Sequence, residues 1–428
     1  MTLNAESPSV EQPTGWPRRF TVILFFFTCT LILYIDRVSI SVVAPVLMKE
    51  FGWDEALMGT VLSAFFVGYL FTQLPGGLVA DRFGGKGILG FAVLWWSAAT
   101  FVTPFARTVP LMIAARIGLG IGEGVTPPAL YSMTARWIPA RERSRVIAFD
   151  LTGVYLGLMI AFPTAVWLMT TWGWPSVFYV FGLLGIVWSG LWYFLVTSRP
   201  EDHPTISPAE LAYIQQDRPH ADPVETVPWR LFFSSSAFWA LLVGQFCALW
   251  TWYMFLTWTP IYLVNVWGFS LQEMGLYLML PYLAMLIIAN TAGWIVDGLL
   301  QRGMSPTLVR KGFQGLSFAG SAVCLILLSA ASSQWLALLY ITLGLGAVAV
   351  SAAGFLVNHL DIEPRYAGVL MGIANTVGTV PGILAPIVTG FIIQSTGSWD
   401  LVFYLAAGIS GVGLVVWLLF ASGEQIFE

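Results

Sequence analysis

Charge is what this chain has least of. Only 10% of its 428 residues are Asp, Glu, Lys or Arg, against 57% hydrophobic ones, and the mean hydropathy is +0.78. Soluble globular domains carry about a quarter charged residues, so the composition excludes one. The net charge of −4 is small and scattered through loops, which leaves no signal for nucleic acid or an acidic partner. Cysteine and histidine number three each. Cys29, Cys247 and Cys324 fall within apolar runs, with neither metal-ligand spacing nor the density of a disulfide framework. His203, His220 and His359 stand beside no partner that would make a nucleophile–base or metal centre. Neither an enzyme nor a bound cofactor is expected.

Abundant instead is apolar sequence in long, continuous runs. Twelve of them, the first near 20–46 and the last near 399–421, approach the ~20 residues that cross a bilayer as helix. No alternating ten-residue pattern competes, and a lipid-embedded backbone closes its hydrogen bonds either within helices or in a sealed barrel. The expectation is an all-α membrane protein with twelve transmembrane helices. Fifteen of the 19 Lys and Arg residues fall in loops on one side, and only Lys49 and Arg107 on the other. The positive-inside rule then places both termini in the cytoplasm. Residues 1–17, rich in Pro, Ser and Glu, are expected to be a disordered cytoplasmic N-terminus, followed by a six-helix bundle at 18–196. A polar cytoplasmic linker at 197–236 leads to a second bundle at 237–421, and 422–428 form a cytoplasmic C-terminus. Within the linker, Ser207-Pro208 opens a short helix that could lie along the membrane surface.

An internal repeat supports the division. Gly77-Leu-Val-Ala-Asp81-Arg82-Phe-Gly84-Gly85-Lys86, after span two, is echoed 216 residues later by Gly293-Trp-Ile-Val-Asp297-Gly298, with Arg310 and Lys311 further on. Duplicated six-helix halves with a substrate site between them are a common plan of secondary transporters. The pattern resembles the signature loop of the major facilitator superfamily. Asp81, Arg82, Lys86 and Asp297 are accordingly expected to latch the cytoplasmic gate, the second copy more weakly.

The few charges inside the spans need a reason, since each costs roughly 2.5–3.5 kcal/mol at a helix centre on insertion scales and usually faces an aqueous path. Span one carries Tyr34-Ile-Asp36-Arg37, span two Gly68-Tyr69 and Gln73-Leu-Pro75-Gly76, and span four Arg116-Ile-Gly-Leu-Gly-Ile-Gly-Glu123. Spans ten and eleven add Asn358-His359-Leu-Asp361 and Ala374-Asn375-Thr376. Together these motifs resemble the anion:cation symporter family of the major facilitator superfamily, which includes bacterial proton-coupled sugar-acid carriers and animal vesicular glutamate, sialic acid and phosphate carriers. The resemblance covers essentially the whole chain. It implies two pseudo-symmetric six-helix bundles in the plasma (inner) membrane and import of a small organic anion with protons; the apolar character of the spans makes a monomer the default. It assigns Arg37, Tyr34, Tyr69 and Asn375 to the anion, Asp36 and Glu123 to protons, and Arg116 to coupling.

Elementary geometry is compatible with those roles. Arg116 and Glu123 are two turns apart, on one face and about 10 Å from each other along the axis, so they can share one aqueous path. Arg37 offers a planar fork that grips carboxylate, phosphate or sulfonate bidentately, and Asp36, about 100° round the helix, can hold or release it according to its protonation. His359 is read as a cap or loop contact, and Asp150 as a helix-end partner of Arg143 or Arg145, with a second proton site as the alternative. Where the animal carriers have a histidine in span two and a cation in span seven, this chain offers Leu62 and the group Trp250, Trp252, Tyr253. With Val154, Ala352 and Phe355 also at the expected cavity, that favours a small carboxylate or sulfonate over a sugar acid. Exchange without protons, sodium coupling with phosphate, and a sensor that does not transport remain as alternatives.

Overall fold

The computed structural model describes residues 16–83, 85–216, 229–363 and 366–425, with the backbone alone at 74, 77–83 and 367–368. The expected N-terminal disorder lies outside the described residues, as does Gly84 of the repeated motif. Among the described residues, twelve helices are long and apolar enough to span a bilayer. They are α1 Arg18–Phe51, α2 Glu55–Phe83, α3 Gly85–Val102, α4 Val109–Gly124 continued as Thr126–Trp137, α5 Ala140–Trp172 and α6 Pro175–Leu195. The second half holds α7 Ser236–Asn265, α8 Leu271–Tyr277 continued as Met279–Gln301, α9 Pro306–Ser329 and α10 Gln334–Ala349 continued as Phe355–Ile362. Helices α11 Ala367–Thr396 and α12 Trp399–Phe420 complete it.

Local chemistry sets many of the ends. Ser270, Ser305, Ser333 and Ser398 each accept a backbone N–H of the helix they precede, supplying an otherwise orphaned donor with a partner. Gly52 and Gly397 close α1 and α11 at φ +66° and +68°, a left-handed conformation that glycine adopts without steric cost.

Pairing of the helices repeats with an offset of six. In the first half α1 packs on α5, α2 on α4 and α3 on α6; in the second α7 packs on α11, α8 on α10 and α9 on α12. The chain therefore folds as two pseudo-symmetric six-helix bundles, as its repeat predicts. Between them α2 meets α11, α5 meets α8 and α1 meets α7. Many of these contacts fall in the half away from the two termini, here called the far face. Gly59 and Gly390 lie so close to the carbonyls of Pro386 and Glu55 that a Cβ on either would collide with them. Trp258 donates to Pro386 O at 3.2 Å, and Phe162 stacks on Tyr282 with ring centroids 5.4 Å apart. Gln394 donates to Asp54 at 3.0 Å, and deeper in, Thr379 donates to Gln73 at 3.2 Å.

The linker does more than connect. Its helix Pro208–Gln215, capped by Ser207, presents Glu210 to the start of α1, where the carboxylate accepts the backbone N–H groups of Arg18 and Arg19, both at 3.0 Å. Arg19 lies 3.4 Å from Glu142 of α5, and Tyr213 donates to that same Glu142 at 2.6 Å. The helix thus pins the starts of α1 and α5 together at the terminal face.

Candidate functional site

Glycines bring the charged residues together. A Cβ on Gly120 or Gly124 of α4 would strike the carbonyls of Phe65 or Tyr69 on α2, and one on Gly68 of α2 would strike that of Ile117. With no side chains between them the two backbones touch, and Glu123 is carried into the core, fully shielded from solvent. Gly153 and Gly157 act likewise for α5, which they press against the carbonyls of Phe27 and Leu31 on α1.

Where the spacing of Arg116 and Glu123 suggests one shared path, the structure gives Glu123 a different partner. Arg37 Nε and Nη2 both donate to Glu123 Oε2, at 2.9 and 2.7 Å, across the gap between α1 and α4. Such charge-assisted bonds are roughly twice as strong as neutral ones. Arg116 is buried beside the Phe65 ring, 5.2 Å from its centroid, and its Nε finds no partner. Its two-turn spacing from Glu123 places both on one face but does not pair them. Glu123 Oε1 is also unpartnered.

Asp36, one residue from Arg37, turns away from it. It is fully buried, its Oδ2 accepts Trp96 Nε1 of α3 at 3.1 Å, and Oδ1 has no partner. Nothing in the sequence singles out Trp96 beyond the general need of a buried indole N–H for an acceptor. Around Arg37 stand three rings, with centroids 4.7 Å (Tyr34), 4.9 Å (Phe65) and 5.2 Å (Tyr69) from the guanidinium carbon. Tyr34 and Tyr69 were expected as hydroxyl contacts; here they also sheathe the cation, an attraction worth about 2 kcal/mol when desolvated. Tyr253 of α7 is within electrostatic reach of Arg37 and packs edge-on against Phe66, so part of the expected aromatic replacement for a cation does approach the site. Trp252 instead meets Tyr282, and Leu62 is buried in the core.

A cavity of about 150 Å³ opens on Arg37, Tyr34 and Tyr69 and runs along α1, α4 and α5 past Thr126, Tyr131 and Asp150 toward the terminal face. It falls below the ~300 Å³ at which drug-sized pockets begin and suits a small ligand. Asn375 is half-buried on α11, where its backbone carbonyl accepts from Thr379 Oγ1 at 2.9 Å; it is not among the residues lining this cavity.

The gate residues are only partly brought together. Asp81 and Arg82 have side chains outside the described residues. Lys86 donates to Tyr193 O at 3.1 Å, and Asp297 is exposed on α8. Arg310, expected to join Asp297 in a weaker latch, instead holds Asp361 of α10 through Nε at 2.6 Å and Nη2 at 3.3 Å, and the Ala353 carbonyl at 3.0 Å. It braces the break in α10, not the α8 loop. Asp150 accepts Thr30 Oγ1 at 2.8 Å, whereas Arg143 donates to the carbonyls of Ala135 and Ile138; the expected Asp150–Arg143 pairing is replaced by a tie to α1.

The model of the Major Facilitator Superfamily matches residues 26–386. The chain is 44% identical over 427 residues to the probable chloroplastic anion transporter 4 of Oryza sativa subsp. japonica, covering 99% of this chain and 72% of that protein. It is 43% identical to the chloroplastic ascorbate transporter of Arabidopsis thaliana (96% and 76% covered), and 42% to the chloroplastic sodium-dependent phosphate transport protein 1 of the same plant (99% and 84%). In fold it matches, with a TM-score of 0.77 and 17% identity over 95% of this chain and 97% of the other, the inward-facing, occupied crystal structure of a bacterial homolog of the human lysosomal transporter Spinster. Duplicated bundles, buried charge at their core and these relatives lead to one conclusion: the chain belongs to the major facilitator superfamily, within the group that contains these anion transporters.

Proposed function

We propose that this protein is a secondary transporter that imports a small organic anion, a carboxylate or sulfonate, by proton symport. The observation that carries the reading is the occupied fork of Arg37: both of its donors to Glu123 go to one carboxylate oxygen, in a cavity lined, among the described residues, by no other cation. An arriving anion and ionised Glu123 therefore compete for one guanidinium. Protonation of Glu123 weakens its hold and frees Arg37 for substrate, and loss of that proton restores the pair and expels the anion. Asp36 is proposed as the second proton site, with Trp96 stabilising its carboxylate; Arg116 couples through the field it adds to the same buried cluster. Tyr34 and Tyr69 position the guanidinium, and Asn375 is proposed to reach the anion once the bundles move. Alternating access follows from rocking of the two bundles about the cavity, with the gate formed by Asp81, Arg82, Lys86 and Asp297. Linkage then requires protons and anion to raise each other's affinity by the same factor.

We place both termini in the cytoplasm and the protein, as a monomer, in a plasma (inner) membrane, on the strength of its arginine-rich face. A second reading, sodium-coupled phosphate transport, is favoured by the 42% identity to a sodium-dependent phosphate transport protein, because a buried carboxylate can serve either ion. One experiment separates them. Right-side-out vesicles containing the protein are given acetate, pyruvate, methanesulfonate, gluconate or phosphate while external pH is followed. Alkalinisation by a carboxylate or sulfonate, lost in Glu123→Gln, supports the proposal; phosphate uptake that needs sodium and moves no protons refutes it.

A further inference from the structure

Asp150 has no part in that scheme, although it sits within a span. Asp150 lies ten residues into α5, and it lines the same cavity as Arg37. Thr30, its hydrogen-bond donor, precedes Arg37 by seven residues on α1, close to two full turns, so both face the cavity about 10 Å apart along the axis. Asp150 is the nearer of the two to the terminal face. The cavity thus has a cation at its inner end and a carboxylate partway along its length.

The groups around Asp150 come from each element packed on it. From α1 there are Cys29 and Tyr34 besides Thr30, from α4 Tyr131, and among the described residues no lining residue of the cavity other than Arg37 carries positive charge. Asp150 is therefore a buried-edge carboxylate without a cationic partner among the lining residues. A purely mechanical purpose for it, fastening α5 to α1, is already served by Gly153 and Gly157, whose contacts with the α1 backbone are closer than any side chain would permit.

We propose that Asp150, oriented by Thr30, is a third proton-binding station, between the Arg37–Glu123 pair and the terminal face. It rests on the symport reading. On release, the Glu123 carboxyl gives its proton to cavity water and re-forms its pair with Arg37. That water passes a proton to the free Asp150 oxygen, and Asp150 returns it to solvent at the terminal face, so that one proton leaves and both carboxylates end ionised. Release of the proton is in this way tied to one side of the membrane.

Asp150→Asn tests this, because the amide oxygen still accepts from Thr30 and keeps a merely mechanical tie intact. In liposomes holding the full chain and a trapped pH dye, uptake of whichever of the five anions alkalinises the medium is followed across pH. The expected result is a midpoint of uptake moved by about one pH unit and proton-driven accumulation cut several-fold, with Asp150→Glu restoring both. Wild-type midpoint and accumulation in Asp150→Asn would overturn the inference while leaving symport standing. A wild-type protein that moves no protons would overturn both together. If Asp150→Asn does not reach the membrane, Thr30→Val replaces it: a moved midpoint supports the station, and an unmoved one overturns it.

Discussion

Replacing Glu123 with Gln should convert anion binding from pH-controlled to nearly pH-independent. In the wild type two short bonds hold Arg37 to a carboxylate that solvent does not reach. Breaking a buried pair of this kind costs about 3 kcal/mol or more, which leaves the guanidinium unengaged in roughly one molecule in 150. An amide oxygen at the same place still accepts one bond, worth about 1 kcal/mol. The difference of about 2 kcal/mol predicts that, at alkaline pH, Glu123→Gln binds the transported anion roughly 30-fold more tightly than the wild type. At acid pH, where Glu123 is neutral in the wild type, the two should converge. Isothermal titration calorimetry of the purified proteins across pH measures this directly. The variant should also exchange anion across a membrane yet fail to accumulate it in response to a proton gradient. A variant that keeps the wild-type pH dependence of binding would refute the competition for Arg37, since another group would then govern the guanidinium.

Other substitutions probe separate parts of the arrangement. Arg37→Gln should abolish anion binding, and Arg37→Lys should recover little of it, because an ammonium offers no planar fork; equilibrium binding distinguishes them. Gly120→Ala should push α4 off the Phe65 carbonyl and cost about 1–3 kcal/mol through overpacking, read as a lower melting temperature in detergent. Trp96→Phe removes the indole donor from buried Asp36, an expected loss of about 1–3 kcal/mol, visible in the same melt. Glu210→Ala should strip two backbone donors of α1 of their acceptor and lower stability by about 1 kcal/mol, while binding at Arg37 persists.

The sequence made the spans legible because lipid enforces length and hydropathy on every helix that crosses it, and the twelve observed helices follow the twelve apolar runs. The duplicated plan was legible too, from a short glycine and aspartate motif after span two. Partnership was not. A seven-residue spacing shows that Arg116 and Glu123 share a face, but which cation Glu123 holds depends on how near α1 comes to α4, a tertiary outcome. The same blindness covered Arg310, whose partner Asp361 lies 51 residues away on another helix, and Asp150, where nearby arginines in the sequence drew attention from a threonine on α1. The Ser-Pro cap of the linker helix was readable, whereas its docking on Arg18 and Arg19 was not, since the receptors there are backbone N–H groups that any sequence would supply.

Closure at the far face depends heavily on absent side chains. Gly59 and Gly390 let backbone meet backbone between the bundles, a contact that carries no net charge and that salt cannot screen. Ionic strength should therefore leave the balance between opposite-facing states largely alone, while a single methyl group acts as a wedge. Alanine at either glycine would prise the far face apart and favour the conformation that opens there, giving a way to populate the other half of the transport cycle without any ligand.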